Sequence, residues 1–298
     1  MSGRVEEAQG QCSERIDEVI SRMAAHPEFL SAMQGYFQNK YALNSGFPVV
    51  MRLISNIDKS LVSGIVFSVW LEGAQAGRRQ DCTVASIVER TTRYGLLSPN
   101  TVKGMIEEFA AYGMLERKAE PGNKKNKVVE VAPFVPHGVR FLHESVLTVL
   151  DRLLEGERLE VHRAQPEAYL RAHPFVVDSL ASDVGWRSPP PSVKLFHAVK
   201  YGPWIAENLI TRVRGEQRDG DFYVIEGFNR TETGAKFMLS RSSVQRLFQA
   251  AEQAGLMKQK DTTLLISKDF VDEFNSYCAR EIASFELGWN MHLDTGIT

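Results

Sequence analysis

The sequence predicts a mainly α-helical chain with small β-hairpins, an α+β fold laid down twice within 298 residues. Three observations predict it. Ser98 to Arg117, SPNTVKGMIEEFAAYGMLER, lies without a gap over Ser240 to Gln259, SRSSVQRLFQAAEQAGLMKQ, at a spacing of 142 positions. Each copy has the pattern of a capped helix, a glycine, a strand, a turn and a second strand. Basic charge gathers around both copies, although the whole chain carries a net charge of -2.

In each copy a serine precedes an apolar-periodic run. Serine is a preferred N-cap because its oxygen accepts a bond from an otherwise orphan helix N–H. Pro99 fits the first helical position, where no N–H is required. Apolar residues follow at 102, 105, 106, 109 and 112, and in the copy at 244, 247, 248, 251 and 254, the spacing of one helix face. Gly113 and Gly255 stand where a left-handed C-cap residue costs least. Strands are expected at Met114 to Lys118 and Leu256 to Lys260. The first continues through a charged loop, Glu120 to Lys127, into Val128 to Val131, and the second turns at Asp261 and Thr262 into Thr263 to Ser267. Helix, glycine and hairpin form the C-terminal half of a winged helix-turn-helix. Upstream of the first copy, Thr83 to Tyr94 carries Val84, Ile87 and Val88 on one face and stops at Gly95, completing a helix-turn-helix. Glu226 to Leu239 matches that segment poorly, so the second helix-turn-helix is expected to be degenerate.

The remaining elements follow in order. Residues 1–12 form a polar leader. A helix from Ser13 to Ala25 is ended by His26-Pro27, and Val161 to Ala172 before His173-Pro174 repeats this landmark at a spacing of 147. Phe47 to Gly77 is one long apolar helix or two. Val139 to Leu154 is amphipathic, and Gly156 with the charged 157–160 marks a boundary. Pro189 to Pro191 forces an extended segment. Lys194 to Arg214 is helical, Arg218 to Asp221 a turn, Phe222 to Ile225 a short strand or helix end, and Asp269 to Leu287 an amphipathic helix. The chain thus divides into winged-helix halves at 1–157 and 158–298, with helices 13–25, 139–154, 161–172 and 269–287 supplying a shared pseudo-twofold interface.

Composition is that of a globular chain. Cys12, Cys82 and Cys278 are odd in number and widely spaced, which argues against a disulfide framework or zinc site and for a reducing cytoplasm. Cys12 and Cys82 carry a weaker reading as oxidation sensors, Cys82 lying beside Arg78 and Arg79. No apolar run is long enough for a bilayer span. No H-E-x-x-H, phosphate-binding glycine loop, nucleophile elbow or acidic metal cluster occurs, so neither an enzyme nor a cofactor is expected. Between Arg78 and Lys127 there are ten Lys/Arg against six Asp/Glu, and between Lys236 and Lys260 five against one. Such local excess orients a protein on a polyanion whatever its total charge.

A helix that enters the major groove presents short polar or cationic side chains near its N-terminus. The first helix offers Asn100, Thr101 and Lys103, with Gly104 allowing close approach. The second offers Arg241, Ser242, Gln245 and Arg246. Arg78, Arg79, Arg90 and Arg93 flank the first helix of the first helix-turn-helix, where phosphate contacts are usual. Lys124, Lys125 and Lys127 in the first hairpin suit the minor groove or the backbone. The partner these residues point to is double-stranded DNA.

Thr83 to Val131 resembles the winged-helix domain of the MarR family of transcriptional regulators, in S-x-x-T-V-x-x-x-I, then Gly-Met-Leu-Glu-Arg, a basic wing and a second strand. The resemblance implies a dimer-like regulator fused into one polypeptide, a pseudo-dimeric monomer or a homodimer of such chains, reading half-sites of a pseudo-palindrome. Apolar pockets between the helical interface and the winged helices are the natural places for a small-molecule effector, though no residue identifies one. The family's Asp-Arg pair in the wing is replaced here by Asn123-Lys124-Lys125. Plasmid replication initiators also carry tandem winged helices, and a winged helix serving as a protein-interaction module is the alternative outside DNA binding.

Overall fold

The computed structural model describes residues 2–46, 50, 53–54, 56–95, 97–120, 123–165 and 167–294. It is mainly helical, with two small antiparallel sheets. The chain forms two compact units. The first comprises Met1–Val19, Ile57–Val184 and Ile282–Thr298, and the second Ile20–Asn56 and Gly185–Glu281. Both are discontinuous in sequence, whereas the sequence pattern suggests one cut after residue 157.

Helix α1 (Ser2–Ala24) and α14 (Lys268–Asp294) each give residues to both units. The polar leader is thus helical from Ser2. A helix needs no apolar face where formers such as Glu6, Glu7, Ala8 and Gln9 recur. α1 ends just before His26-Pro27 as expected, and α2 (Phe29–Ser45) follows.

The first unit continues with α3 (Ile57–Gln75), α4 (Val84–Arg93), α5 (Pro99–Ala111), β1 (Leu115–Glu120), β2 (Asn123–Val131), α6 (Phe134–Leu154), α7 (Arg158–Ala164) and α8 (Ala168–Ser182). Phe47, at the start of the predicted 47–77 helix, lies outside the described residues. The core is built from Val62, Ile65 and Phe67 of α3, Ile87, Val102, Ile106 and Phe109 of α4 and α5, and Val146, Leu150 and Val176 beyond the hairpin. α3 packs along α8. The His173-Pro174 landmark does not behave like His26-Pro27, because α8 runs straight through Pro174. An interior proline costs about 3 kcal/mol, here set against the burial of His173, Val176 and Val177.

The predicted charged loop 120–127 is also shorter than expected. β1 and β2 stay paired to Ala119↔Lys127 and Glu120↔Asn123, with a bulge between Ala119 and Glu120, so the backbone of 123–127 is strand. Pro121 and Gly122 lie outside the described residues. At the base, Thr83 bridges Val128, and the Val129 N–H donates to the Cys82 carbonyl at 2.7 Å.

The second unit adds α9 (Val184–Arg187, shared with the first), α10 (Pro191–His197), α11 (Gly202–Ile210), β3 (Arg218–Asp219), β4 (Phe222–Ile225), α12 (Arg230–Lys236), α13 (Arg241–Gln253), β5 (Met257–Lys260) and β6 (Thr263–Ser267). The predicted helix 194–214 is broken by left-handed Tyr201 (φ 61). The sheet order is β3-β4-β6-β5, all antiparallel. Tyr223, Ile225, Leu264, Ile266 and Met257 are buried on one face of it, and Phe228, Phe248 and Phe270 are buried in the same unit. The segment expected to be degenerate is a capped helix: the Asn229 Oδ1 accepts from the N–H groups of Thr231 and Glu232. Asn followed three residues later by Glu was the signal.

Candidate nucleic-acid interface

The two predicted copies are nearly superimposable in local detail. Ser98 (φ -68, ψ 150) and Ser240 (φ -65, ψ 148) cap helices of 13 residues, accepting from Thr101 N at 3.2 Å and Ser243 N at 3.1 Å. Gly113 (φ 72) and Gly255 (φ 73) end both helices in the left-handed region that glycine enters without a Cβ clash. The next N–H groups, of Met114 and Leu256, donate back to Phe109 O and Ala251 O at 2.9 and 3.0 Å. Both helices bury one stripe, Val102, Ile106 and Phe109 in α5 and Val244, Leu247, Phe248 and Ala251 in α13.

The opposite faces carry the predicted polar residues. In the first unit Asn100, Thr101, Lys103 and Gly104 are exposed on α5. The Thr101 hydroxyl is hydrogen-bonded to Ser98 Oγ at 2.9 Å, so it serves the cap as well as the surface. Arg93 is exposed in the last turn of α4, where a cation complements the helix dipole. Arg78 pairs with Asp81 at 3.3 Å, and the Arg79 guanidinium lies 5.5 Å from the Trp70 ring centroid. Lys127 is exposed on β2. Lys124 and Lys125 have their backbone in that strand, and their side chains lie outside what is described.

Charge counting overstated the free cations. Arg90 is buried, its guanidinium held by Asp178 at 2.9 Å from Nη2 and by Glu72 at 2.6 Å from Nη1, with Tyr94 donating to the same Asp178. Arg117 forks onto Glu107, and Lys118 pairs with Glu116. Among the described residues, Lys103, Lys127, Arg241 and Arg246 make no ion pair.

In the second unit Arg241, Ser242, Gln245 and Arg246 are all exposed on α13. Arg241 and Gln245, one turn apart, wall a cleft of about 730 Å³ that also takes in Asn229, Arg230, Glu232 and Gln259. Arg230 was not anticipated. Its guanidinium bonds Glu252 of α13 and Gln259 of β5 and sits 5.2 Å from the Phe248 ring centroid, tying α12 to α13 and the hairpin. No sequence periodicity announces such a contact across three elements.

Cys82 is fully buried, and burial, aided by Glu130, pushes its thiol up to about 12, which removes the oxidation-sensor reading for that residue. Among the described residues no group of three or more His, Cys, Asp or Glu is arranged to hold a metal, and no helix is long and apolar enough to cross a membrane. No family model, curated protein or solved structure matches this chain.

Proposed function

We propose that the chain is a sequence-specific double-stranded DNA-binding regulator of transcription, built from two winged helix-turn-helix segments of MarR-like pattern. The observation that carries the reading is the exposed polar face of α13. Arg241, Gln245 and Arg246 project from the N-terminal half of a helix whose other side is core. Arginine matches the guanine O6/N7 edge and glutamine the adenine N6/N7 edge, each good bidentate pair discriminating by about 1–3 kcal/mol. α5 offers Asn100 and Lys103 for the same purpose, and β2 brings Lys127 from the adjoining hairpin. Phosphate contacts then supply affinity and base contacts supply choice.

In vitro selection of duplexes from a random pool tests the reading. An enriched inverted repeat, lost in Arg241→Ala and Gln245→Ala, is the expected result. Directly repeated sites would instead favour a replication initiator. No enrichment together with no retention of duplex at low salt would leave a protein-interaction module.

A further inference from the structure

We propose that Arg117 is a positioning residue of the first unit's DNA-facing helix: it masks the carboxylate of Glu107, so that α5 meets phosphate without a negative charge on its reading face. The inference rests on the DNA-binding reading above.

Positions 100, 103, 104 and 107 fall on one side of α5, since residues three and four apart stack along a helix. Glu107 is therefore one turn beyond Lys103 on the face assigned to DNA, and its side chain is 56% exposed. Arg117 reaches it from β1 with both terminal nitrogens, Nη1 to Oε1 and Nη2 to Oε2, the latter at 2.7 Å. This fork occupies both carboxylate oxygens and fixes their plane. The other carboxylate of α5, Glu108, is met by Lys59 of α3, with Nζ 2.6 Å from Oε2. Both acidic residues of the helix are thus neutralised from other elements, while Lys103 makes no ion pair among the described residues.

The internal copy supplies a second, independent observation. At the spacing of 142, Glu107 falls on Gln249 and Arg117 on Gln259. The second unit has neither the carboxylate nor the arginine. A negative charge on this face occurs with its mask, and where the charge is absent the mask is absent too. An ion pair lying off a DNA-contacting face adds little to stability and leaves the salt slope unchanged when either partner is removed.

That difference of sign is the test. The full chain is titrated into a labelled random-sequence duplex between 50 and 200 mM salt, with a denaturant melt of each variant alongside. Glu107→Gln frees the Arg117 charge and steepens the salt slope by about 0.9, a further ~3.5-fold fall in affinity across that range. Arg117→Ala exposes Glu107 and makes the slope shallower by a similar amount. Glu107→Gln with Arg117→Ala returns it to the wild-type value, and Arg117→Lys keeps most of it. If Arg117→Ala does not fold, Glu107→Gln decides alone. An unchanged or shallower slope for Glu107→Gln, or shifts of the same sign for both single variants, overturns the proposal. Wild-type chain that fails to bind random duplex at 50 mM salt sinks the DNA-binding reading and the mask with it, whereas a binding wild type with unordered variants sinks the mask alone.

Discussion

The hairpin after α5 has a second strand of nine residues, and among the described residues one bridge, Thr83 to Val128, joins its base. The hairpin after α13 has strands of four and five residues, and β4 pairs along β6 to extend it into a four-stranded sheet. The helices in front of them are alike to within a few degrees at the cap. The two units therefore share a serine-capped helix of the same length and differ in how it is supported. A short hairpin gains order from sheet neighbours, while the longer one pairs with itself from Leu115↔Val131 to Ala119↔Lys127. The clamps differ too. Arg230 holds Glu252 and Gln259 in the second unit, whereas the position of Glu252 is Ala110 in the first, where Arg117 and Glu107 form the bond.

The deepest contrast is in buried charge, and it gives the largest expected effects. In the second unit Lys40 bonds Glu207 at 2.6 Å, and the Glu207 side chain is 5% exposed. Lys40→Met strands that carboxylate and should cost about 3–5 kcal/mol, measured by denaturant unfolding, with hydrogen exchange at α2 and α11 locating the loss. Arg90→Met in the first unit leaves Asp178 and Glu72, whose side chains are 38% and 48% exposed. Solvent then replaces part of the pair, and about 2 kcal/mol is expected. A larger cost for Arg90→Met than for Lys40→Met would reverse the assignment of which pair is the more deeply committed.

Acid should separate the units as well. His143 Nε2 and His173 Nδ1 lie 3.1 Å apart inside the first unit, between Phe67 and Phe285, and His162 is buried near Trp289. Burial lowers all three imidazoles, His173 to about 4. In the second unit, burial lowers His197, also to about 4, with Lys40 adding to the effect. A histidine whose folded pKa is depressed binds its proton more readily in the unfolded chain. Stability is therefore fully present above about 6.5 and is lost as pH falls toward about 4. Among the described residues, three such groups against one predict the earlier acid opening in the first unit, observed as exchange at α6 and α8 amides, with His173→Gln flattening that limb. Equal acid response at α10 and α6 would refute the difference.

The smallest effect sharpens the likeness. Ser98→Ala and Ser240→Ala should each cost about 1 kcal/mol and agree with one another in thermal melts. A clear inequality would show that the two caps, though alike in geometry, do different work.

Local chemistry was legible in the sequence wherever one element carried the whole signal. The serine caps, the stripes at 102, 106 and 109 and at 244, 247, 248 and 251, and the two glycines all follow from i to i+4 relations and backbone sterics. Asn229-x-x-Glu232 was equally local, but two nearby glycines obscured it. Illegible features depended on partners far along the chain. Arg90 looks like a surface cation until Asp178 arrives from α8. Lys127 looks like a loop residue until its pairing with Ala119 of β1 sets it in register. Arg230 has no periodic neighbour at all. The division into discontinuous units is of the same kind, since only tertiary contacts reveal that 20–56 cluster with 185–281. The predicted reading residues themselves emerged on the surface because polar side chains opposite an apolar stripe have nowhere else to go.

The salt dependence of duplex binding tests the central claim most directly, comparing wild type with Lys124→Ala/Lys125→Ala/Lys127→Ala and with Arg241→Ala. The account predicts a steep linear fall in log affinity with log salt. The triple variant should lose up to about 2.7 of slope at roughly 0.9 per phosphate, while Arg241→Ala loses preference for the selected site. Binding that is independent of salt, or absent at 50 mM, would contradict it.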